Sequence, residues 1–574
     1  MERPNRRRIT NANAPRVWSS EAALGTRHFV IHFAICALCV TALDSNVWAV
    51  TVGHQDRARS LYQVVVSLDG QGNPVLPVSV YKGAKRVQLR AKGGLRVLST
   101  GGGTVSVSLP GPEGVMVTAS EHTDGQRDHW VAVARAPAND MMSLRREVQR
   151  WKSFGHKVVP RGVGATYGLK GRVLDTRRTV LCLDQPFAEM RSARIKAASL
   201  AAKYSRQVFV HVELASPPAG KLTADARAGV TVQADDVMWF EAIEGTLEVT
   251  SWGRKGKQSM LLPGRVYVTV GAKGTMVVVN EARIETLLEG VVAAEIFASA
   301  PRAALRAQAV AARTDLLAKV GLRHRTDPFS ICSDVHCQAY KGAKRLPAKI
   351  IEAVKSTRGQ VLTGADGRLV DTFYHAVSGG HTENNENAWR MRTHPNLRGV
   401  SDLRPGVPNP LANGATQAAV KALLDSPDRS YAAASGRNKR ALRWTVKRTP
   451  KEIRKHLQKV GVTRPLTGVQ VLKRGVSGRA IEIELTQLGG SSIRLWGELR
   501  IRRAFRALKS SLFLVTPGPK DRKGVPRWWQ FRGAGYGHGV GLDQTGAYGR
   551  AKLGQKYREI LSAYYRGARL EQLY

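Results

Sequence analysis

The chain has 574 residues and 43% hydrophobic content, which excludes a single ordinary domain and suggests two or three with packed cores. Lys and Arg number 89 against 44 Asp and Glu, a net charge of +45 that favours polyanionic partners by long-range attraction. Nucleic acid and an anionic cell-wall polymer satisfy that charge equally. Five cysteines, two of them inside the leader-like N-terminus, exclude a disulfide framework.

At the N-terminus, Arg6-Arg7-Arg8 and Arg27 precede an apolar run from Phe29 to Leu43, broken only by His32 and Thr41. Asn46-Val47-Trp48-Ala49 follows and offers a small residue for cleavage. A basic n-region, a short h-region and a small residue at the cut are the features of a secretory signal. The run is short for a membrane span of about 20 residues. We therefore expect 1–49 to be a signal peptide or an uncleaved signal anchor. The remainder is then exported to the periplasm or cell envelope, touching the membrane only through an uncleaved signal. Cys36 and Cys39 belong to this segment, leaving Cys182, Cys332 and Cys337.

Residues 50–215 are expected to be a strand-rich basic region whose role no motif defines. Tyr62–Leu68 and Thr104–Leu109 alternate apolar and polar residues, with Gly101-Gly102-Gly103 and Pro110-Gly111-Pro112 as turns. Trp130, Trp151 and His156 are expected to pack rather than to form a site. Ser216-Pro217-Pro218-Ala219-Gly220 opens an expected linker over 216–237. Strands resume from 238, with Met276–Val279 as a buried strand. The period turns helical at Ile284: Leu287, Leu288, Val291 and Val292 form one stripe of a helix to about Ala294. Pro301 restarts a second helix to about Val320, rich in alanine. Gln308 and Arg313 are long polar residues on it, placed to reach into a cleft or into solvent. A last amphipathic helix is expected within Lys556–Arg566. The fold class is α+β, with a mixed catalytic domain over 238–574.

Four segments carry the chemistry. Glu295 ends the first helix beside Ile296 and Phe297, where lost solvation raises a carboxyl pKa and suits it to general acid work. Glu289 is a rival one and a half turns earlier. Ser378-Gly379-Gly380-His381-Thr382-Glu383 follows a strand-like segment and reads as a backbone-lined saccharide subsite. Cys332 and Cys337, with His324 or His336, supply enough ligands for zinc; a Cys332–Cys337 disulfide is the alternative. Gly535-Tyr536-Gly537-His538-Gly539-Val540-Gly541, followed by Gln544, is too glycine-dense for an ordinary turn and lacks the Lys-Ser/Thr ending of a phosphate loop. His538 is the second polar candidate of a cleft, with Gln544 capping the same wall.

Leu287–Glu295, Ala304–Thr314, Ser378–Glu383, the glycine run and Ile560–Gly567 occur in the order seen in the SpoIID/LytB family of bacterial cell-wall proteins. The chain resembles that family from roughly Val270 to the C-terminus. The Ser378 segment departs from the family pattern, with Val377-Ser378 where many members have Ser-Thr. The resemblance implies a lytic transglycosylase acting on peptidoglycan glycan strands stripped of stem peptides. Glu295 is then the single acid and base. Gln308, Arg313, Ser378, Gly379, Gly380, Thr382, Glu383, His538 and Gln544 bind substrate. No cofactor is required for that chemistry, although some relatives carry a zinc-like His/Cys cluster in the region of His324, Cys332, His336 and Cys337. The alternative is a non-enzymatic enhancer of an N-acetylmuramoyl-L-alanine amidase. No zinc-finger or RNA-binding signature accompanies the charge, so nucleic acid is not expected as a partner.

Overall fold

The computed structural model describes residues 48–52, 60–63, 66–100, 104–169, 172–227, 229–253, 256–334, 336–342, 346–389 and 391–574. The expected signal over 1–49 lies outside them up to residue 47; Trp48–Val52 form a strand paired in parallel with Val230–Asp235.

A long strand, Pro74–Arg90, is the axis of the fold. It pairs with Met276–Arg283, Leu247–Gly253 and Val115–Thr123, all antiparallel, inside a sheet of 14 strands. Its inward residues, Leu76, Val78, Val87 and Leu89, are buried with Val266, Val268, Val278 and Val279. The short strand Ile331–Cys332 joins the same sheet in parallel, pairing Cys332 with Ser79. The expected linker over 216–237 is corrected: Ala219–Ala226 and Val230–Asp235 are antiparallel strands within this sheet. Leu222, Ala224, Val232 and Ala234 alternate inward there, and the two prolines merely shape the turn before them. The boundary at 238 likewise cuts through one sheet, because Val237–Ala242 pairs with both Leu95–Thr100 and Arg265–Val270.

Residues 126–216 form a separate layer that the sequence reading did not separate out. Gln126–Pro137, Val158–Val163, Arg178–Leu183 and Phe209–Ser216 make a four-stranded antiparallel sheet. Helices Met141–Ser153 and Met190–Lys203 cover one face, burying Val131, Val133, Leu181 and Leu183 against Leu144, Trp151 and Leu200. Alternate residues Trp130, Ala132, Val180 and Cys182 turn to the other face, which Leu322 meets. Trp151 is fully buried among Phe154, His156 and Tyr204, a packing role as expected.

The two expected helices are Ile284–Glu295 and Arg302–Ala318. The second is buried along nearly its whole length, its alanines allowing close approach on several sides. A further lobe, between about 444 and 533, has its own core around Phe505, Phe513 and Phe531. The last helix, Tyr557–Tyr564, buries Ile560, Leu561 and Tyr564.

Candidate functional site

Glu295 is the last residue of its helix. Ile284, Leu287, Leu288, Val291 and Val292 bury the helix against the core, and Ile296 leaves helical conformation immediately after it. Tyr340 lies close over Gly290: a Cβ there would stand 2.7 Å from the Tyr340 ring. Tyr340 Oη also donates to Asn280 Oδ1 at 3.0 Å. These contacts hold the 332–340 loop so that the Ala339 N–H donates to Glu295 Oε1 at 2.9 Å. Glu295 opens into a cleft of about 860 Å³ lined also by Asp315, Lys319, Phe373, Tyr374, Trp389 and His538.

Burial raises the Glu295 pKa, and the Asp315 charge adds to that. The Ala339 amide, Lys319 and Gln544 pull it back, and the net shift is upward. Burial also raises Glu289, but Glu289 does not line this cleft. Asp315 is committed elsewhere: Lys319 Nζ pairs with its Oδ2, and Gln338 Nε2 donates to the same oxygen at 2.6 Å.

Gln544 begins the helix Gln544–Lys552, capped by Asp543, whose Oδ1 accepts from the Gly546 N–H at 2.8 Å. Its side chain hydrogen-bonds Glu295, and its Nε2 donates to Gln308 Oε1 at 3.4 Å. Gln308 itself is fully buried. The structure thus brings Glu295, Gln544 and Gln308 together.

His538 joins an aromatic group with Trp389 at 4.8 Å and Phe373 at 6.3 Å between ring centroids; Phe373 and Trp389 are 4.5 Å apart. Its Nδ1 accepts from the Val540 N–H at 3.0 Å, and the ring also hydrogen-bonds the Tyr374 backbone. Burial, reinforced by the Arg479 and Arg502 charges, pushes its pKa down to about 3. It is therefore a neutral, oriented ring rather than a proton shuttle.

Several sequence expectations fail here. Arg313 does not reach the cleft. It is fully buried, and its Nε and Nη2 donate to the two Glu285 oxygens at 2.8 and 2.7 Å, with Nη1 on the Gln360 carbonyl. Ser378, Gly379, Gly380, Thr382 and Glu383 are buried and do not line the cleft. Ser378 N–H donates to Asp543 Oδ2, and Thr382 Oγ1 accepts from the Val400 N–H. Glu383 accepts from the Asn384 N–H, Asn387 Nδ2 and Ser477 Oγ. These polar atoms are used up inside the protein. The glycine run is built for the chain beneath it. At Gly541, φ is +70° and a Cβ would meet the Phe373 carbonyl oxygen at 2.0 Å.

The His324, Cys332, His336 and Cys337 ligand atoms lie within 4.8 Å of one another. His324 Nε2 is 3.3 Å from Cys337 Sγ, and His336 Nδ1 is 3.6 Å from both sulfurs. The cysteines are not bonded to each other, so the disulfide alternative is not what the fold adopts. His324 Nδ1 is held by Asp327 Oδ2 at 2.8 Å, leaving Nε2 free to ligate, the carboxylate–histidine arrangement of metal sites. The Cys332 hydrogen bond pulls the Cys337 thiol down to about 6, while Cys332 is held up at about 12. Two thiols and two imidazoles at this spacing fit a tetrahedral zinc.

The sequence reading missed Asp315, Lys319, Phe373 and Trp389, and it also missed Arg135, Arg178, His211 and Arg325 on the cleft wall contributed by residues 126–216 and the 322–327 loop. Asp315 and Lys319 were visible as an i,i+4 pair on an alanine-rich helix. Trp389 and the wall arginines carry no local signal.

The cleft thus holds a desolvated Glu295 carboxyl at a helix end, without an ion pair among the described residues, and is lined by the Phe373, Trp389 and His538 rings. Residues 272–363 match the family model described as Stage II sporulation protein, and residues 383–541 match a domain of unknown function (DUF8618). The chain is 29% identical to an uncharacterized protein of Brachyspira hyodysenteriae over 294 residues, 51% of this chain and 68% of that protein. It is 29% identical to an amidase enhancer of Bacillus subtilis over 301 residues, 49% of this chain but only 40% of that protein. It is 26% identical to a stage II sporulation protein D of Bacillus amyloliquefaciens over 309 residues, 51% of this chain and 76% of that protein. Over residues 272–363 the chain is thus similar to the SpoIID family, and two of these relatives carry the names amidase enhancer and stage II sporulation protein D.

Proposed function

We propose that the chain is an exported peptidoglycan-remodelling enzyme, a lytic transglycosylase that cleaves glycan strands lacking stem peptides. The observation that carries this reading is Glu295: a partly desolvated carboxyl at the cleft, steadied by the Ala339 amide. Burial shifts its balance toward the protonated form. The acid gives its proton to the glycosidic oxygen as the bond to C1 of the muramyl sugar breaks. The resulting carboxylate then takes the proton of the same sugar's C6 hydroxyl, whose oxygen closes on C1 as an anhydro ring. No water is consumed, so one carboxyl suffices where hydrolysis uses two.

In this reading Gln544 orients Glu295, and Gln308 fixes Gln544. Phe373, Trp389 and His538 offer apolar ring faces to the sugar. His324, Cys332, His336 and Cys337 would hold a zinc ion, which would supply a structural cross-link rather than reaction chemistry. Through Ala339, two residues past Cys337, that cross-link would steady the amide on Glu295.

The second reading is a non-enzymatic enhancer of an amidase, favoured by the similarity to the Bacillus subtilis protein of that name. Release of soluble fragments from peptide-free glycan strands separates the two. Release by wild type and not by Glu295→Gln supports the enzyme. Binding without release by either protein selects the enhancer.

A further inference from the structure

We propose that Arg135, Arg178 and Arg325 form a carboxylate-binding subsite in the Glu295 cleft, which reads the free lactyl carboxylate of a muramyl sugar whose stem peptide has been removed. The inference rests on the glycan-binding reading above and adds the residues that would select the substrate.

All three side chains line the same cleft as Glu295, and Arg135 and Arg178 come from the lobe of residues 126–216, outside both matched family regions. Among the described residues Arg135 has no ion pair with a carboxylate; its guanidinium lies over the Phe209 ring at 4.9 Å. Arg325 donates to the His211 ring at 2.9 Å and to the Val212 carbonyl at 3.0 Å, neither of which neutralises it. The nearby Glu213 is shared by Arg161 and His211. Arg178 has one carboxylate partner, Asp371, at 3.6 Å. The other acids of the cleft are engaged as well: Asp315 by Lys319 and Asp327 by His324. Burial lowers the Arg135 pKa, and the charges of Arg178 and Arg325 lower it further. Three cations therefore line one wall of the cleft, and among the described residues Asp371 is the one carboxylate ion-paired with any of them.

A guanidinium presents two parallel N–H groups that match a carboxylate, and such charge-assisted pairs are the strong ones. A muramyl sugar carrying its peptide has a neutral amide at the lactyl position; removal of the peptide leaves a carboxylate there. An arginine wall thus distinguishes the two states at the sugar itself.

The test uses the full chain carrying Glu295→Gln to prevent turnover. Its affinity is measured by tryptophan fluorescence for peptide-free strands and for the same strands with lactyl carboxylates converted to primary amides. The expected result is binding about tenfold or more tighter to the carboxylate form, the scale of one charge-assisted pair. Added Arg135→Gln or Arg178→Gln should make the two affinities nearly equal. Arg145→Gln, an exposed arginine of the same lobe, should keep the difference and so controls for net charge. Equal binding of both strands, discrimination that survives the Arg135 and Arg178 changes, or an equal loss with Arg145→Gln overturns the subsite. Discrimination without cleavage by the Glu295 protein leaves the subsite standing and removes the transglycosylase. Equal cleavage of both strands does the reverse.

Discussion

The Ala339 N–H donates to Glu295 Oε1 at 2.9 Å, and so joins the candidate acid to the loop that carries Cys332, His336 and Cys337. The loop is tied at both ends. Cys332 pairs with the central strand at Ser79, and Tyr340 packs on Gly290 of the Glu295 helix. The His/Cys cluster and the acid are thereby joined through one loop.

That coupling predicts a loss of activity on removal of a metal bound at this cluster. Chelation, or Cys337→Ser, should release about one zinc per chain by elemental analysis and lower turnover by about 10-fold to 100-fold, the range for lost supporting contacts of a metal site. Unchanged turnover in a zinc-free protein would show that the loop holds Glu295 unaided.

Glu295 makes a stability prediction with a definite sign. Its folded pKa lies above the ordinary value of 4.5, so the folded chain binds its proton more tightly than the unfolded chain. The associated stability is fully present below about pH 4.5 and is lost as pH rises through the folded pKa. Glu295→Gln should therefore melt higher than wild type at pH 8, with the difference fading on acidification to pH 4. Its turnover should fall at least about 100-fold, the usual contribution of general acid–base catalysis.

His538 should behave in the opposite sense. Its folded pKa is pushed down to about 3, below the ordinary 6.5. The ring should show no protonation shift by NMR between pH 5 and 8. Its stability contribution is complete above about pH 6.5 and is lost as pH falls toward 3, because the unfolded chain takes up the proton first. A ring that titrates near pH 6.5 would return His538 to the list of proton-transfer groups.

Arg313 tests the correction to the substrate list. It is fully buried against Glu285, and removing one partner of such a pair costs about 3–5 kcal/mol. Arg313→Met should lower stability by that order in urea titration, while the affinity of the folded fraction for glycan stays the same.

Much of this was legible in the sequence because it is local. The Ile284–Glu295 stripe, the Pro301 restart and the buried Met276–Val279 strand depend on period and on punctuating residues, and the structure places them within a few residues of expectation. His324, Cys332, His336 and Cys337 were singled out by residue type alone, and the fold brings them together. The 216–237 strands were hidden by two prolines at their edge. The Ser378–Glu383 segment misled because its polarity serves internal bonds to Asp402, Asp543 and Ser477, residues distant in sequence. The arginine wall is a tertiary product: Arg135 and Arg178 lie on adjacent strands, and Arg325 follows more than a hundred residues later.

The central claim is that Glu295 alone drives bond cleavage without water. Mass spectrometry of the new glycan ends tests it most directly, with wild type and Glu295→Gln incubated beside each other on peptide-free strands. The account predicts muramyl ends lighter by one water, formed by wild type and absent with the variant. Ends carrying the full mass of a hydrolysis product, or anhydro ends formed equally by the variant, would contradict it.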